Sequence, residues 1–523
     1  MRYLRDGGPL QQAGSGRPHV LRSRDEAEGS QAASVVRLTA ADWLLENARV
    51  ATLDAGRPRA AALAVAGGRV VAIGTRAEVE PLAGRRPERV DCGGATVLPG
   101  LVDPHLHLYA LAASAVNLDC AAPAIRDVAD LLAALRARAR SLPAGEWLRG
   151  EGLDERRLGR LPTATELEAA APRHPVRLRH RSRHASVLNR RALALLGRVE
   201  GCDPRAGLVG GAENALSRLV GPVPRAILAE GLVASGRRLA AMGLTTIADA
   251  TPRTYHGLAP LRQLMAAGSF PLRVFAMRPV GSSPWRGGGM LFPGPVKIMV
   301  EEGSRGLRPG PSTLARRIAA AARSGAQVAV HCLGAATLVA TVAAFAALPA
   351  RYRVGRRHRL EHVAECPPPM VATIAALDLV VVTNPAFVHW RGDAYRAETS
   401  GPARRWLYRA RSLAAAGVTL AGASDAPIVP ASPWVGLAAA RSRRTAGGHV
   451  LSTGERLGAA DALALFTTGA AQSLRAPALG RLVEGGPADL IVVEPDPLRA
   501  PPDEVADTRV LLTLVGGRPA WRA

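Results

Sequence analysis

The sequence is nearly devoid of lysine: of 67 basic residues, a single one, Lys297, is not arginine. Aromatic residues make up only 4% of the chain, too few for the stacking platforms that single-stranded nucleic acids require. No uninterrupted apolar run approaches the ~20 residues of a membrane-spanning helix. The five cysteines (Cys92, Cys120, Cys202, Cys332, Cys366) form no CxxC pair and are odd in number. A disulfide framework is therefore not expected in a chain of 523 residues, and a reducing, cytoplasmic setting is. Residues 1–40 are rich in Arg, Gly, Ser and Gln and lack the apolar core of a secretory leader, so they are read as a disordered extension.

The net charge of +24 points formally to polyanions. The arginines, however, are scattered through an Ala/Arg/Gly/Leu-rich background rather than clustered with aromatics. Nucleic acid and membrane are thus not expected partners; a small-molecule substrate is, and a homodimer is left open. Lys297 stands apart from this drift. A surface ion pair tolerates arginine, whereas a primary amine that must react or shed its proton does not.

Residues 41–97 alternate short apolar runs with Gly-rich turns, as in Ala61-Ala62-Leu63-Ala64-Val65 followed by Gly67-Gly68. Such runs signal strands and hairpins. Residues 476–523 repeat the style, so the two ends are expected to form one small β-sandwich. Between them, runs rich in β-branched residues alternate with stretches of helical period, the mark of βα units. Eight strands are expected, at 98–108, 245–250, 272–277, 296–300, 327–332, 359–363, 379–384 and 418–424. Eight closes a (β/α)₈ TIM barrel, here spanning 98–475. The long gap after the first strand is expected to hold an insertion at about 119–243, with helices at 128–141 and 226–242 and an apolar run at 175–178 leading into His180 and His184.

Barrel enzymes carry their chemistry at the C-terminal ends of the strands. Strand one ends in Asp103-Pro104-His105-Leu106-His107, and residues two apart on a strand project to the same side. Lys297 lies on strand four, His331 ends strand five, His362 ends strand six, and Asp425 follows strand eight. Each feature alone has a structural explanation, but independent accidents would not share one rim. Imidazoles and a carboxylate suit Zn²⁺ and similar first-row ions. Lys297 is then either deprotonated, or converted by CO₂ to a carbamate that bridges two ions, or a buried charge paired with Glu301 or Glu302.

The run Leu98-Pro99-Gly100-Leu101-Val102-Asp103-Pro104-His105-Leu106-His107 resembles the opening signature of the amidohydrolase superfamily. Gly243-Leu244-Thr245-Thr246-Ile247, Val296-Lys297-Ile298, Val328-Ala329-Val330-His331, Arg359-Leu360-Glu361-His362, Ala423-Ser424-Asp425-Ala426-Pro427 and Ala488-Asp489-Leu490-Ile491-Val492 resemble its family-3 branch, which includes N-substituted formamide deformylases. The resemblance covers roughly 43–520. It implies His105, His107, His331 and His362 as metal ligands, Lys297 as a carboxylated bridge, and Asp425 as ligand and general base. It further implies one or two divalent ions, expected to be Zn²⁺, and hydrolysis of an amide or formamide C–N bond by metal-activated hydroxide. His184 is similar to a histidine of the branch's insertion; Trp147, Asn384 and His389 are further candidates for substrate contact.

The chain departs from the pattern after His331. Where the branch usually reads Ala-Ile-Gly-Asp-Arg-Ala, this sequence has Cys332-Leu333-Gly334-Ala335-Ala336-Thr337, so an acid and a base are missing. Glu301-Glu302-Gly303 also replaces the usual Asp-Gly. An altered pocket and the loss of a structural salt bridge both remain open. The alternatives to a binuclear amidohydrolase are a mononuclear deaminase of the same superfamily, which would not need Lys297, and a non-catalytic binding protein on the same barrel.

Overall fold

The computed structural model describes residues 41–523, apart from 182–184, 199–200, 211–212, 255, 283–284 and 304–305. The expected extension at 1–40 lies outside the described residues.

The centre is an eight-stranded parallel sheet in sequential order. Its strands are β1 (Leu101–Leu106), β2 (Leu244–Asp249), β3 (Arg273–Arg278), β4 (Leu291–Ile298), β5 (Val328–Cys332), β6 (Arg359–His362), β7 (Val380–Thr383) and β8 (Leu420–Gly422). Each coincides with a run expected from the sequence, although β4 starts five residues earlier than 296, at Leu291. All six residues of β1 and all four of β7 are buried, as strands covered on both faces should be. The ring is nearly closed where β8 meets β1: Asp425 N–H donates to the His105 carbonyl at 2.9 Å and His107 N–H to that of Ala426 at 2.7 Å. The Asp103 carboxyl joins them by accepting from Ser424 N–H and His105 N–H. The result is a TIM-barrel-like fold.

The outer helices show why the sequence selects them. In Pro311–Arg323, Pro311 takes the first turn, where its missing N–H costs nothing, and Arg323 closes the last. Leu314, Ile318, Ala321 and Ala322 recur on one face and are the buried ones.

The insertion after β1 contains the expected helices, observed at Val128–Ser141 and Arg225–Ala241. The run at 175–178 becomes the strand Val176–His180. The sequence reading missed that this strand belongs to a six-stranded mixed sheet built from segments as short as Leu118–Asp119 and Cys202–Asp203. Two-residue strands carry no readable period.

The ends of the described chain contribute two further sheets. Arg518–Arg522, Arg509–Val515 and Leu490–Glu494 pair onward with Thr96–Pro99, Arg49–Ala51 and Arg59–Ala60 in a six-stranded sheet. A four-stranded sheet comprises Arg69–Gly74, Ala62–Ala66, Ala41–Glu46 and Ala83–Asp91. Trp43, Leu45, Leu63 and Val65 share an apolar cluster with Leu490, Leu512 and Leu514.

Candidate active site

β1 delivers His105 and His107, and the turn after β8 delivers Asp425. One ligand atom from each lies within 4.8 Å of the others. Asp425 Oδ1 is 3.2 Å from His107 Nε2 and 3.5 Å from His105 Nε2. His362 stacks at a tilt on His105, ring centroids 4.8 Å apart, and His331 meets His362 edge-on at 4.6 Å. Lys297 Nζ lies 3.2 Å from His105 Nε2. The structure thus brings together all six residues of the expected ligand set.

Three of the four rings are oriented by a second group. His105 Nδ1 bonds to the Glu361 carboxylate, itself clasped by Arg359 at 2.7 and 2.8 Å. His362 Nδ1–H donates to Asn384 Oδ1 at 2.7 Å, while the Asn384 amide donates to the Ala423 carbonyl. His107 Nδ1 sits 3.0 Å from the Thr251 hydroxyl. With Nδ1 engaged, Nε2 of these rings is the atom left for a metal. Backbone conformation adds to this placement. His362, Val363 and Asp425 adopt φ of 71°, 49° and 56°, sparsely populated for side-chain-bearing residues and costly by about 1–3 kcal/mol each. The tertiary bonds hold them there, including Val363 N–H to the Cys332 carbonyl.

Electrostatics agree with a cation site. Burial, reinforced by Lys297, lowers His105 to about 4. Burial and the neighbouring imidazoles lower His331 and His362 to about 3, so all three rings are neutral and free to ligate. Burial also brings Lys297 down to about 8. For Glu361 and Asp425 burial acts upward, but it is outweighed: Arg359 and His105 hold Glu361 well below the carboxylate range, and His107, His105 and His362 do the same for Asp425. Asp425 Oδ1 is buried without a hydrogen bond, a cost that a metal ion would relieve. Donor type, neutral rings and this orphaned oxygen fit a divalent cation.

The expected partners of Lys297 are not the observed ones. Glu301 is exposed, and Glu302 accepts from the Thr337 hydroxyl at 3.1 Å. The acids facing Lys297 are Glu361 and Asp425.

Next to the six residues of the expected ligand set opens a cavity of about 570 Å³, whose lining includes Met299, Leu333, Glu365, Phe387, Arg391 and Tyr395. The substrate-contact expectations fare unevenly here. Asn384 is fully buried and positions His362 rather than lining the space. His389 lies two residues beyond Phe387 on the helix Pro385–Glu398, on its other side, where its ring meets Trp390. Trp147 packs inside the insertion against the cluster of Leu188, Val209 and Leu216, because it leads into the strand Leu148–Leu153. His184 lies outside the described residues. Sequence reasoning missed Glu361, although it adjoins His362, and missed Arg391 and Tyr395, whose four-residue spacing from Phe387 on one helix was the available signal.

Eight parallel strands with histidines and an acid converging at their C-terminal ends define a metal-dependent hydrolase of the TIM-barrel class. Residues 88–520 match the model of the amidohydrolase family. The chain belongs to that family, in its family-3 branch, and is a hydrolase of carbon–nitrogen bonds other than peptide bonds. It is 28% identical to the N-substituted formamide deformylase of Arthrobacter pascens, over 91% of this chain and 97% of that one. Its fold matches an uncharacterized metal-dependent hydrolase from Pyrococcus horikoshii OT3 with a TM-score of 0.74 at 23% identity, covering 88% of this chain and 99% of that one. It also matches the zinc complex of atrazine chlorohydrolase TrzN from Arthrobacter aurescens TC1 with a TM-score of 0.52 at 16% identity, covering 91% and 94%.

Proposed function

We propose that the chain hydrolyses an amide- or formamide-type C–N bond of a small molecule. The observation that carries this reading is the convergence of His105, His107, His331, His362, Lys297 and Asp425 on one rim beside a largely apolar cavity. His105, His107 and Asp425 would hold one divalent ion, with Zn²⁺ the best match to these donors. His331 and His362 would hold a second, bridged to the first by Lys297 after its amine adds to CO₂ with loss of a proton. The ions, when bound, supply the Lewis acidity that makes water nucleophilic and polarises the substrate carbonyl.

The protein's own groups perform the remaining work. Asp425 takes the proton of the attacking water and returns it to the departing nitrogen. Glu361, Asn384 and Thr251 keep three imidazoles in register, while the apolar wall excludes bulk water. The two terminal sheets are read as one β-sandwich of residues 41–97 and 476–523 that buttresses the barrel.

Asp425→Asn tests the proton role. Turnover of a formamide or amide panel is expected to fall by roughly 10²- to 10⁴-fold, with KM little changed. Metal analysis of the same preparations should read two ions per chain if Lys297 is carboxylated and one if it is not. Near-full kcat in a metal-replete variant would remove Asp425 from the mechanism.

A further inference from the structure

The cavity contains two acids that the hydrolytic machinery leaves unused, Glu365 and Glu398. Glu365 follows ligand His362 by three residues and lines the same space. Its backbone is fixed from both sides: its N–H donates to the Leu333 carbonyl at 3.0 Å, and it bridges to Leu407. Its Oε2 accepts from Ala335 N–H at 3.3 Å, at the start of the helix Ala335–Ala346. Ala335 is the position where the sequence lacks the acid usual after His331. A carboxylate from the loop after β6 thus meets the backbone at the position that lacks one.

Among the described residues Glu365 has no further hydrogen bond and no basic partner, so Oε1 is left for a ligand. The nearby guanidinium of the cavity, Arg391, is exposed and already lies over the Tyr395 ring, 5.9 Å from its centroid. A second carboxylate, Glu398, stands at the same wall. Leu333, Leu407 and Phe387 offer apolar surface in the same cavity. In a chain of net charge +24, two carboxylates against one guanidinium on this wall select for a cation.

We propose that Glu365 is a specificity-determining residue that binds an ammonium or amidinium group of the substrate, separated by an apolar spacer from the bond cleaved. The proposal rests on the hydrolytic reading above. Its test compares the monoformamide of diaminobutane with its uncharged isostere N-pentylformamide, on metal-loaded wild type and Glu365→Gln. Gln retains an oxygen for Ala335 N–H, so the fold is preserved, and matching thermal melts check this. Wild type should favour the charged compound by roughly 10- to 100-fold in kcat/KM, and Glu365→Gln should erase that preference while leaving the neutral compound unaffected. Equal handling of both compounds by wild type, or equal losses in the variant, overturns the proposal. If neither compound is turned over, the formamide reading fails on its own. Calorimetric binding of the same two compounds then decides: a preference for the charged one that Glu365→Gln removes sustains the role of Glu365, and equal binding overturns it.

Discussion

The two walls of the cavity are built on opposite terms. On the metal side, His105 and His362 are each 1% exposed and Lys297 4%. Three of the rings there are tied by a second residue, and three backbone positions are held at positive φ. On the other side, Leu333, Met299 and Ile428 are between 41% and 44% exposed and carry no such ties. One wall is over-determined, as placement of reacting groups demands; the other sets exposed loop residues beside the helix Pro385–Glu398, and those loop residues can change substrate choice without touching the chemistry.

The sharpest way to break this contrast is to loosen the metal wall from behind. Glu361→Gln leaves the Arg359 guanidinium buried without its carboxylate, a loss of ~3–5 kcal/mol of stability. It also frees the His105 ring, with metal affinity expected to drop roughly 10- to 100-fold. Urea melts and metal titration read the two effects separately, and an unchanged affinity would deny Glu361 its orienting role.

Acid probes the same wall more gently. His105, His331 and His362 sit at about 4, 3 and 3 in the folded chain, against an ordinary 6.5. Below about pH 6.5 the unfolded state takes up protons that the folded state refuses, so these rings stabilise the fold fully above that pH and lose their contribution as pH falls toward 3. Asp103 and Asp249, raised by burial to about 7 and 6, act oppositely, since the folded chain keeps their protons. Three imidazoles outweigh the two acids, so the metal-free protein should melt earlier at pH 5 than at pH 7. A later melt at pH 5 would mean that the acids dominate.

The smallest effect is expected on the far wall. Leu333→Ala should raise KM by about 3- to 10-fold, as loss of partly exposed apolar contact would, with metal content and melting temperature unchanged. A fall in metal content would erase the distinction between the walls.

The same division governs what could be read before folding. The convergence of the candidate metal-binding residues was legible because they sit at strand ends, where a two-residue alternation and a repeated βα rhythm fix their direction. Glu361 escaped because its partner His105 is 256 positions away, and their contact exists only once β6 and β1 face each other across the barrel. His389 misled for a simpler reason: it was chosen by its nearness to β7, while a helix turns about 200° over the two residues from Phe387. Phe387, Arg391 and Tyr395 keep the helical period, and they line the cavity. The sheet of the insertion was unreadable as a whole because strands such as Leu118–Asp119 and Cys202–Asp203 are too short to alternate.

The join between β8 and β1 has a consequence for the life of the chain. Histidines contributed near residue 105 wait for an aspartate at 425, and the strand at 96–99 waits for its neighbour at 490–493. Such distant pairings are the slowest to form, because the full loop entropy must be lost before any contact is gained. A growing or truncated chain therefore cannot bring His105, His107 and Asp425 together, and their meeting marks the moment when the barrel has closed.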